Sequence, residues 1–268
     1  MQSSNNGYRH IWLLAGTGEG PILADALQKQ GWRVTVSVVS TQASWPYLEM
    51  SLTSVFVGAL QGAEGIKKIL NNAQHLHDGF DWVIDATHPF ALEISTNLHE
   101  ACNEFKQPLL RFERPYEDLP SAHKIQALRD LSNYSLQGRN FLIALGVRHL
   151  SEAINLVRRS GAKAFARVLP TPESLRQTLK CSLNESHYAI IRPFQGSRKG
   201  DFEHALCRRW SITDVLCRQS GGPIQKYWQE VCQREKMDLW LISHPNLVDG
   251  VKVVYTLRAL LDMVSKCE

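Results

Sequence analysis

The sequence predicts an α/β protein of two Rossmann-like domains with mainly parallel sheets and a cleft between them. Three observations carry this expectation. Short apolar runs of strand character alternate with segments of helical spacing along the chain, the order that builds parallel sheets with right-handed crossovers. A glycine-rich turn follows the first of these runs at once. At 268 residues, 44% of them hydrophobic and 21% charged, the chain has the composition of two globular domains of ordinary size. The expected division is 1–118 and 119–268, at an aperiodic stretch holding Asp118, Pro120 and Ser121.

His10 to Leu14 form the first strand, and Ala15-Gly16-Thr17-Gly18-Glu19-Gly20 leads into a helix patterned by Ile22, Leu23, Ala26 and Leu27. Strand, glycine turn and helix in that order open a dinucleotide-binding unit, in which backbone amides at the helix N-terminus face a phosphate. The glycine spacing is not G-x-G-x-x-G, so a tight turn without a ligand stays open as the other reading. Gly31 ends the helix, and Trp32 to Val39 alternate as a second strand. The loop after it, Ser40-Thr41-Gln42, is where this fold meets the adenine ribose; it holds no acid, and Ser40 and Thr41 offer donors to the extra phosphate of NADP. Ser54 to Val57 read as a third strand and Ala63 to Leu70 as a helix, followed by a polar loop, 71–78. His75 and His77 in that loop read as solvated surface, since only Asp78 stands beside them.

Trp82 to Ile84 are a buried strand, and Glu93 to Phe105 are a helix with apolar Ile94, Leu98, Ala101, Cys102 and Phe105. Between them lies Asp85-Ala86-Thr87-His88-Pro89-Phe90, a turn at the carboxyl end of a strand, where open α/β sheets bind ligands. The plainer alternative is that Asp85 or Thr87 caps the helix and Pro89 occupies its first turn. His88 is the candidate if a side chain donates a proton, because an imidazole changes charge near neutrality, with water as an equally good donor and an orienting role for His88 as the favoured alternative. Pro108 to Phe112 give the next strand; Arg111 and Arg114 are three apart, so in an extended chain they point to opposite faces. Arg114 is the better placed to face a substrate carboxylate, with an ion pair to Glu113 or Glu117 as the alternative.

The second half repeats the grammar. Strands are expected at Phe141 to Leu145, Ala164 to Val168, Tyr188 to Ile191, Asp214 to Cys217 and Leu239 to Ile242, with helices at Leu150 to Arg159, Glu173 to Leu179, Asp201 to Arg209 and Ile224 to Gln233. Ser220-Gly221-Gly222 stands at a strand-to-helix junction, where its backbone amides would face an anion, and Lys226 one turn along adds a point charge. A loop with no ligand is the competing reading there.

A net charge of +4 with scattered Lys and Arg implies no nucleic acid and suits anionic small molecules. Six cysteines without a C-x-x-C pair read as free thiols of a reducing cytoplasm, and no metal site is expected. No run approaches the length of a membrane span, and residues 1–10 lack the apolar core of a signal peptide.

The string Asp85-Ala86-Thr87-His88-Pro89-Phe90-Ala91 with Ile94-Ser95 resembles the signature of precorrin-6A reductases, the NADPH-dependent enzymes of corrin-ring (cobalamin) biosynthesis. The first turn is similar to the family's Gly-Gly-Thr-x-Glu-Ala, with Gly16, Thr17 and Glu19 matching and Gly18 between them. Ser37 matches the serine of a Ser-x-Ala-Gly-Arg-like segment whose basic residue is missing here. Gly146-Val147-Arg148 resembles a Gly-Arg turn with one residue inserted, and Arg192-Pro193-Phe194 an Arg-Gly-Pro-Phe segment without its glycine. Ser220-Gly221-Gly222 and Lys226 match Ser-Gly-Gly and a following Lys, while His244-Pro245 stands where the family has Arg-Pro.

The resemblance implies reduction of the precorrin-6A or cobalt-precorrin-6A macrocycle to precorrin-6B. The implied cofactor is NADPH, along Gly16, Thr17, Gly18, Glu19, Ser37, Ser40, Thr41, Asp85, Ala86 and Thr87. The implied substrate, a tetrapyrrole-derived polycarboxylate, would meet His88, Phe90, Arg114, Arg148, Arg192, Ser220, Gly221, Gly222 and Lys226. The rival reading is a non-catalytic ligand-binding or regulatory relic of the fold, which the missing family residues would fit. A short-chain dehydrogenase is disfavoured, because no tyrosine has a lysine four residues after it.

Overall fold

The computed structural model describes residues 9–76, 78–192 and 201–266, which form two compact units. In chain order the first unit contains β1 (His10–Ala15), α1 (Glu19–Lys29), β2 (Arg33–Val38), the short α2 (Thr41–Ser44), β3 (Ser54–Val57), α3 (Gly62–His75), β4 (Trp82–Ala86), α4 (Leu92–Glu104) and β5 (Leu109–Phe112). The second contains β6 (His123–Ile125), β7 (Asn140–Ile143), α5 (Leu150–Arg159), β8 (Lys163–Val168), α6 (Pro172–Leu179), β9 (Tyr188–Ile190), α7 (Asp201–Arg209), β10 (Asp214–Arg218), α8 (Pro223–Glu235) and β11 (Asp238–Ile242). The chain then adds β12 (Lys252–Val254) and α9 (Leu257–Ser265).

The pleat explains why β1 is central. Ile11, Leu13 and Ala15 pack with Leu23 and Leu27 of α1 and Leu260 of α9, while Trp12 and Leu14 pack on the other face with Ile66 and Leu70 of α3 and Leu98 of α4. A strand apolar on both faces belongs inside a parallel sheet covered by helices. The first sheet has the order β12-β5-β4-β1-β2-β3, and every pairing in it is parallel.

The second sheet, β6-β11-β10-β7-β8-β9, is also parallel throughout. Phe141 and Ile143 of β7 face Ile154 and Val157 of α5; Leu142 faces the other way, toward Trp228 and Val231 of α8.

The expected division at 118/119 needs two corrections. The first unit ends at Pro115, and the segment from Pro245 onward belongs to it rather than to the second unit. The cause is β12, which pairs with β5 in the register Val253 to Arg111, and whose Val254 carbonyl accepts the Glu113 amide at 2.9 Å. The expected polar loop after Leu70 is likewise the end of α3, where His75 Nδ1 lies 2.8 Å from the Asn71 carbonyl; His77 is outside the described residues. Among the described residues no helix is long and apolar enough to cross a membrane, and Cys102, Cys181, Cys207, Cys217 and Cys232 are free and buried.

Candidate active site

β1 and β4 are hydrogen-bonded neighbours, with Leu14 opposite Asp85 and Ala15 opposite Ala86, so the turns that leave them lie side by side. A Cβ on Gly16 would stand 3.3 Å from the His88 amide nitrogen and 3.5 Å from Thr87 Cα; the two turns touch backbone to backbone. At Gly20 a Cβ would run into Ala15 and the Tyr47 hydroxyl. Gly18 differs: a Cβ there would have nothing within 4 Å, and as the N-cap of α1 it brings no side chain over the helix end. An uncapped helix N-terminus beneath open space fits a dinucleotide phosphate.

Asp85 organises the second turn from inside. Its Oδ1 accepts the Thr87 amide at 3.0 Å and the Thr87 hydroxyl at 2.6 Å, and Oδ2 accepts the Ser95 hydroxyl at 2.6 Å. Arg111 Nη1 lies 2.8 Å from the same Oδ1. With its oxygens engaged and buried, Asp85 is corrected from a cofactor contact to the residue that shapes the turn. It does not cap α4 either, since the N-cap is Ala91, without a side-chain cap. Ala86 is buried as the last residue of β4, and Thr87 is half-buried at the rim.

Arg111 completes this cluster. It donates to the Thr87 hydroxyl and carbonyl at 3.0 and 3.1 Å, and through Nε and Nη2 to Glu113 Oε2 at 3.0 and 2.9 Å. Burial opposes its charge, but Asp85 and Glu113 outweigh burial and hold its pKa above the ordinary value. Val251 and Val253 from the returning segment help to line a cavity of about 20 Å³ beside Asp85 and Arg111, room for about one water.

His88 and Phe90 are half-buried at the rim. The Phe90 amide donates to His88 Nδ1 at 3.2 Å, and the two rings are tilted with centroids 5.9 Å apart. An accepting Nδ1 puts the proton of the neutral ring on Nε2.

The remaining expected cofactor residues divide. Ser37 is buried in β2 and its hydroxyl accepts the Trp12 indole N–H at 2.8 Å, so it is corrected to an interior partner of the sheet. Ser40 and Thr41 are exposed at the end of β2, where Ser40 caps α2 by accepting the Ala43 amide. Glu19 is the first residue of α1, and its carboxylate pairs closely with Arg114 Nη2. Burial pushes the Glu19 carboxyl up, but Arg114 and the Thr17 hydroxyl outweigh it and hold the pKa below its ordinary value. The Arg114 side chain thus pairs with Glu19 of the glycine turn, a partner other than the two expected, and its backbone amide donates to Glu113 Oε1 at 3.1 Å.

In the second unit arginines line the carboxyl edge of the sheet. Of four strands adjacent in the order β10-β7-β8-β9, β10 ends on Arg218, β8 carries Arg167 one residue before its end, and Arg148 and Arg192 lie in the segments that follow β7 and β9. Arg148 and Arg192 are exposed, Arg218 is half-buried and Arg167 is buried. Pro193 and Phe194 are outside the described residues. Burial lowers the Arg218 pKa and Arg148 lowers it further; burial and Arg218 likewise lower that of His149.

The Ser220-Gly221-Gly222 turn is partly self-satisfied. The Gly221 amide donates to Gln225 Oε1 at 2.8 Å, which corrects the expectation that it faces an anion. Gly221 has φ +65°, a conformation that favours glycine. Ser220 and Gly222 are buried, while Lys226 is exposed on α8.

Residues 10–265 match the model of the family described as precorrin-6x reductase CbiJ/CobK. The chain belongs to this family. It is 30% identical to a cobalt-precorrin-6A reductase of Synechocystis sp. over 248 residues, 90% of each chain. It is 27% identical to a precorrin-6A reductase of Mycobacterium tuberculosis, over 91% of this chain and 92% of the relative. The solved structure of CobK precorrin-6A reductase shares the fold, with a TM-score of 0.74 and 22% identity over 96% of each chain.

For this member of the precorrin-6x reductases, the sequence signature and the observed cluster overlap at Asp85, Thr87 and Ser95. Arg111 and Glu113 complete the cluster and were missed, because a strand residue reveals its partner only once β4 and β5 are paired. Arg218 and Arg167 were missed for a similar reason: their common edge appears only with the strand order. A basic residue at the end of each of several predicted strands was the available signal.

Proposed function

We propose that this chain reduces the precorrin-6A macrocycle, with or without its cobalt, to precorrin-6B, using NADPH. The observation that carries the proposal is the family match across residues 10–265, which spans both units. NADPH, when bound, supplies the hydride. The chain's own residues bind and orient. Open space at Gly18 and the uncapped start of α1 support a phosphate subsite, and the acid-free Ser40 and Thr41 suit the 2′-phosphate of NADPH. The buried Asp85–Arg111 pair fixes the shape of the neighbouring turn, so that His88 and Phe90 stay at its rim. His88 orients, its Nδ1 holding the Phe90 amide.

The second unit supplies charge. Four neighbouring strands set about 4.8 Å apart span roughly 14 Å, a length that suits a macrocycle bearing several carboxylates. Arg148, Arg218, Arg192 and Lys226 are the carboxylate partners of this reading, and the chemistry takes place in the cytoplasm, which suits the buried free thiols.

Fluorescence titration of the purified protein with NADPH and NADH tests the cofactor, followed by turnover of precorrin-6A. NADPH should bind roughly tenfold more tightly, or about 1.4 kcal/mol. Equal affinities refute the role of Ser40 and Thr41. Failure to bind either nucleotide rejects the reductase reading in favour of a non-catalytic relative.

A further inference from the structure

Arg114 is tied into a continuous polar chain that joins the two turns of the first unit. Asp85 pairs with Arg111, Arg111 with Glu113, Glu113 accepts the Arg114 amide, and the Arg114 guanidinium pairs with Glu19. Glu19 stands at the first position of α1, directly after Gly18, where the turn is open. A carboxylate in that position opposes any phosphate brought to the helix N-terminus, because both are anions within one turn of each other. The pairing with Arg114 cancels this opposition. It also keeps the Glu19 side chain bound to a residue fixed by β5, rather than loose over the turn. The Arg114 and Glu19 side chains are only 13% and 27% exposed, so solvent screens the pair less than it would a surface pair.

We propose that Arg114 is a positioning residue for the dinucleotide phosphates, acting through Glu19, and that it has no part in holding the macrocycle. The inference rests on the reading that the glycine turn takes the cofactor. Removing the guanidinium leaves an unneutralised carboxylate beside the phosphate subsite, and NADPH affinity falls. Removing the carboxylate as well restores it. A residue that held the pair only for stability would give no such recovery of affinity.

The test is NADPH titration by fluorescence on the full chain, for wild type, Arg114→Gln, Arg114→Lys and the double variant Arg114→Gln/Glu19→Gln, with thermal unfolding of each as a check on folding. Arg114→Gln should raise the NADPH Kd by roughly tenfold to a hundredfold, the scale of one uncompensated charge near the surface. Arg114→Lys should keep most of the affinity, and the double variant should return close to wild type. If the double variant binds as weakly as Arg114→Gln, Arg114 touches the phosphate itself and the proposal is wrong. An unchanged Kd in Arg114→Gln, with a raised KM for precorrin-6A, would return Arg114 to the substrate and overturn it equally. Wild type that binds no NADPH would bring down the cofactor reading with it, whereas the first two outcomes leave that reading intact.

Discussion

Arg111→Leu should destabilise the first unit by several kcal/mol, and the structure says why. The side chains of Arg111, Asp85 and Glu113 are only 6%, 3% and 2% exposed, so removing the guanidinium takes the Arg111 charge away from two carboxylates in the interior. Breaking a buried pair by deleting one partner costs about 3–5 kcal/mol, set against a total stability of roughly 5–15 kcal/mol for a domain. Asp85 keeps donors from Thr87 and Ser95, and Glu113 keeps the Arg114 amide, which holds the loss within that range. With a urea slope near 2 kcal/mol per M, the midpoint should fall by about 2 M. Tryptophan fluorescence and far-UV circular dichroism would follow the transition, and Trp12, Trp32 and Trp82 report on the affected unit. The effect should carry a pH signature. Without Arg111 a buried carboxyl has its folded pKa raised above the unfolded value, so the penalty is present at pH 7 and shrinks as pH falls toward 5. A fall below about 1 kcal/mol, the scale of a surface ion pair, or one of equal size at pH 7 and pH 5, would refute the reasoning.

Three further outcomes are expected. Gly16→Val should abolish NADPH binding, because its Cβ meets the His88 amide at 3.3 Å, whereas Gly18→Ala, with nothing within 4 Å, should change the urea midpoint little; equal effects on both measurements would contradict the packing of the two turns. Burial and Arg33 hold the His10 imidazole below its ordinary 6.5, against Asp78, so the folded state favours the neutral ring. Stability from this source is complete above the unfolded pKa near 6.5 and is lost as pH falls below it, and His10→Gln should flatten the urea midpoint between pH 7.5 and 5.5. His88→Asn should keep much of kcat, since an amide oxygen can take over the Phe90 N–H; a drop of about a thousandfold with fold and NADPH affinity intact would instead identify His88 as the proton donor.

Much of the fold was legible because its signals are local. The apolar run of β1, the glycine turn after it and the apolar spacing of α4 each specify an element without reference to the rest of the chain. β6 and β12, at three residues each, are too short to show a period, and β12 becomes a strand only by lying against β5. This is also why the last segment was assigned to the wrong unit: nothing in Lys252-Val253-Val254 says which sheet it will join. At the site, the Asp85 turn was found from its residues, but the sense of Asp85 was not. A carboxylate at a strand end reads as a ligand contact until Arg111 is seen beside it. Ser37 failed in the same way, since only the pairing of β1 with β2 sets it against Trp12.

The two units differ in the charges they place at the ends of their strands. In the first, Glu19 has Arg114, while Asp85 and Glu113 share Arg111, so the acids at the turns are cancelled from the end of β5. The turns then present backbone amides, small residues and hydroxyls, and in the proposed reading a phosphate would be held by dipoles whose directions the fold fixes. In the second, Arg218, Arg148 and Arg192 follow three of four neighbouring strands, close enough that Arg148 weighs on the protonation of Arg218, while Arg167 on the remaining strand is buried against Glu203. Cations crowded in this way repel one another, and a ligand with several carboxylates relieves that repulsion at each point it touches. On that proposal recognition in the first unit would depend on geometry, so a single misplaced Cβ should defeat it. In the second it would depend on summed charge, which should tolerate the loss of one cation provided the other arginines along the edge remain.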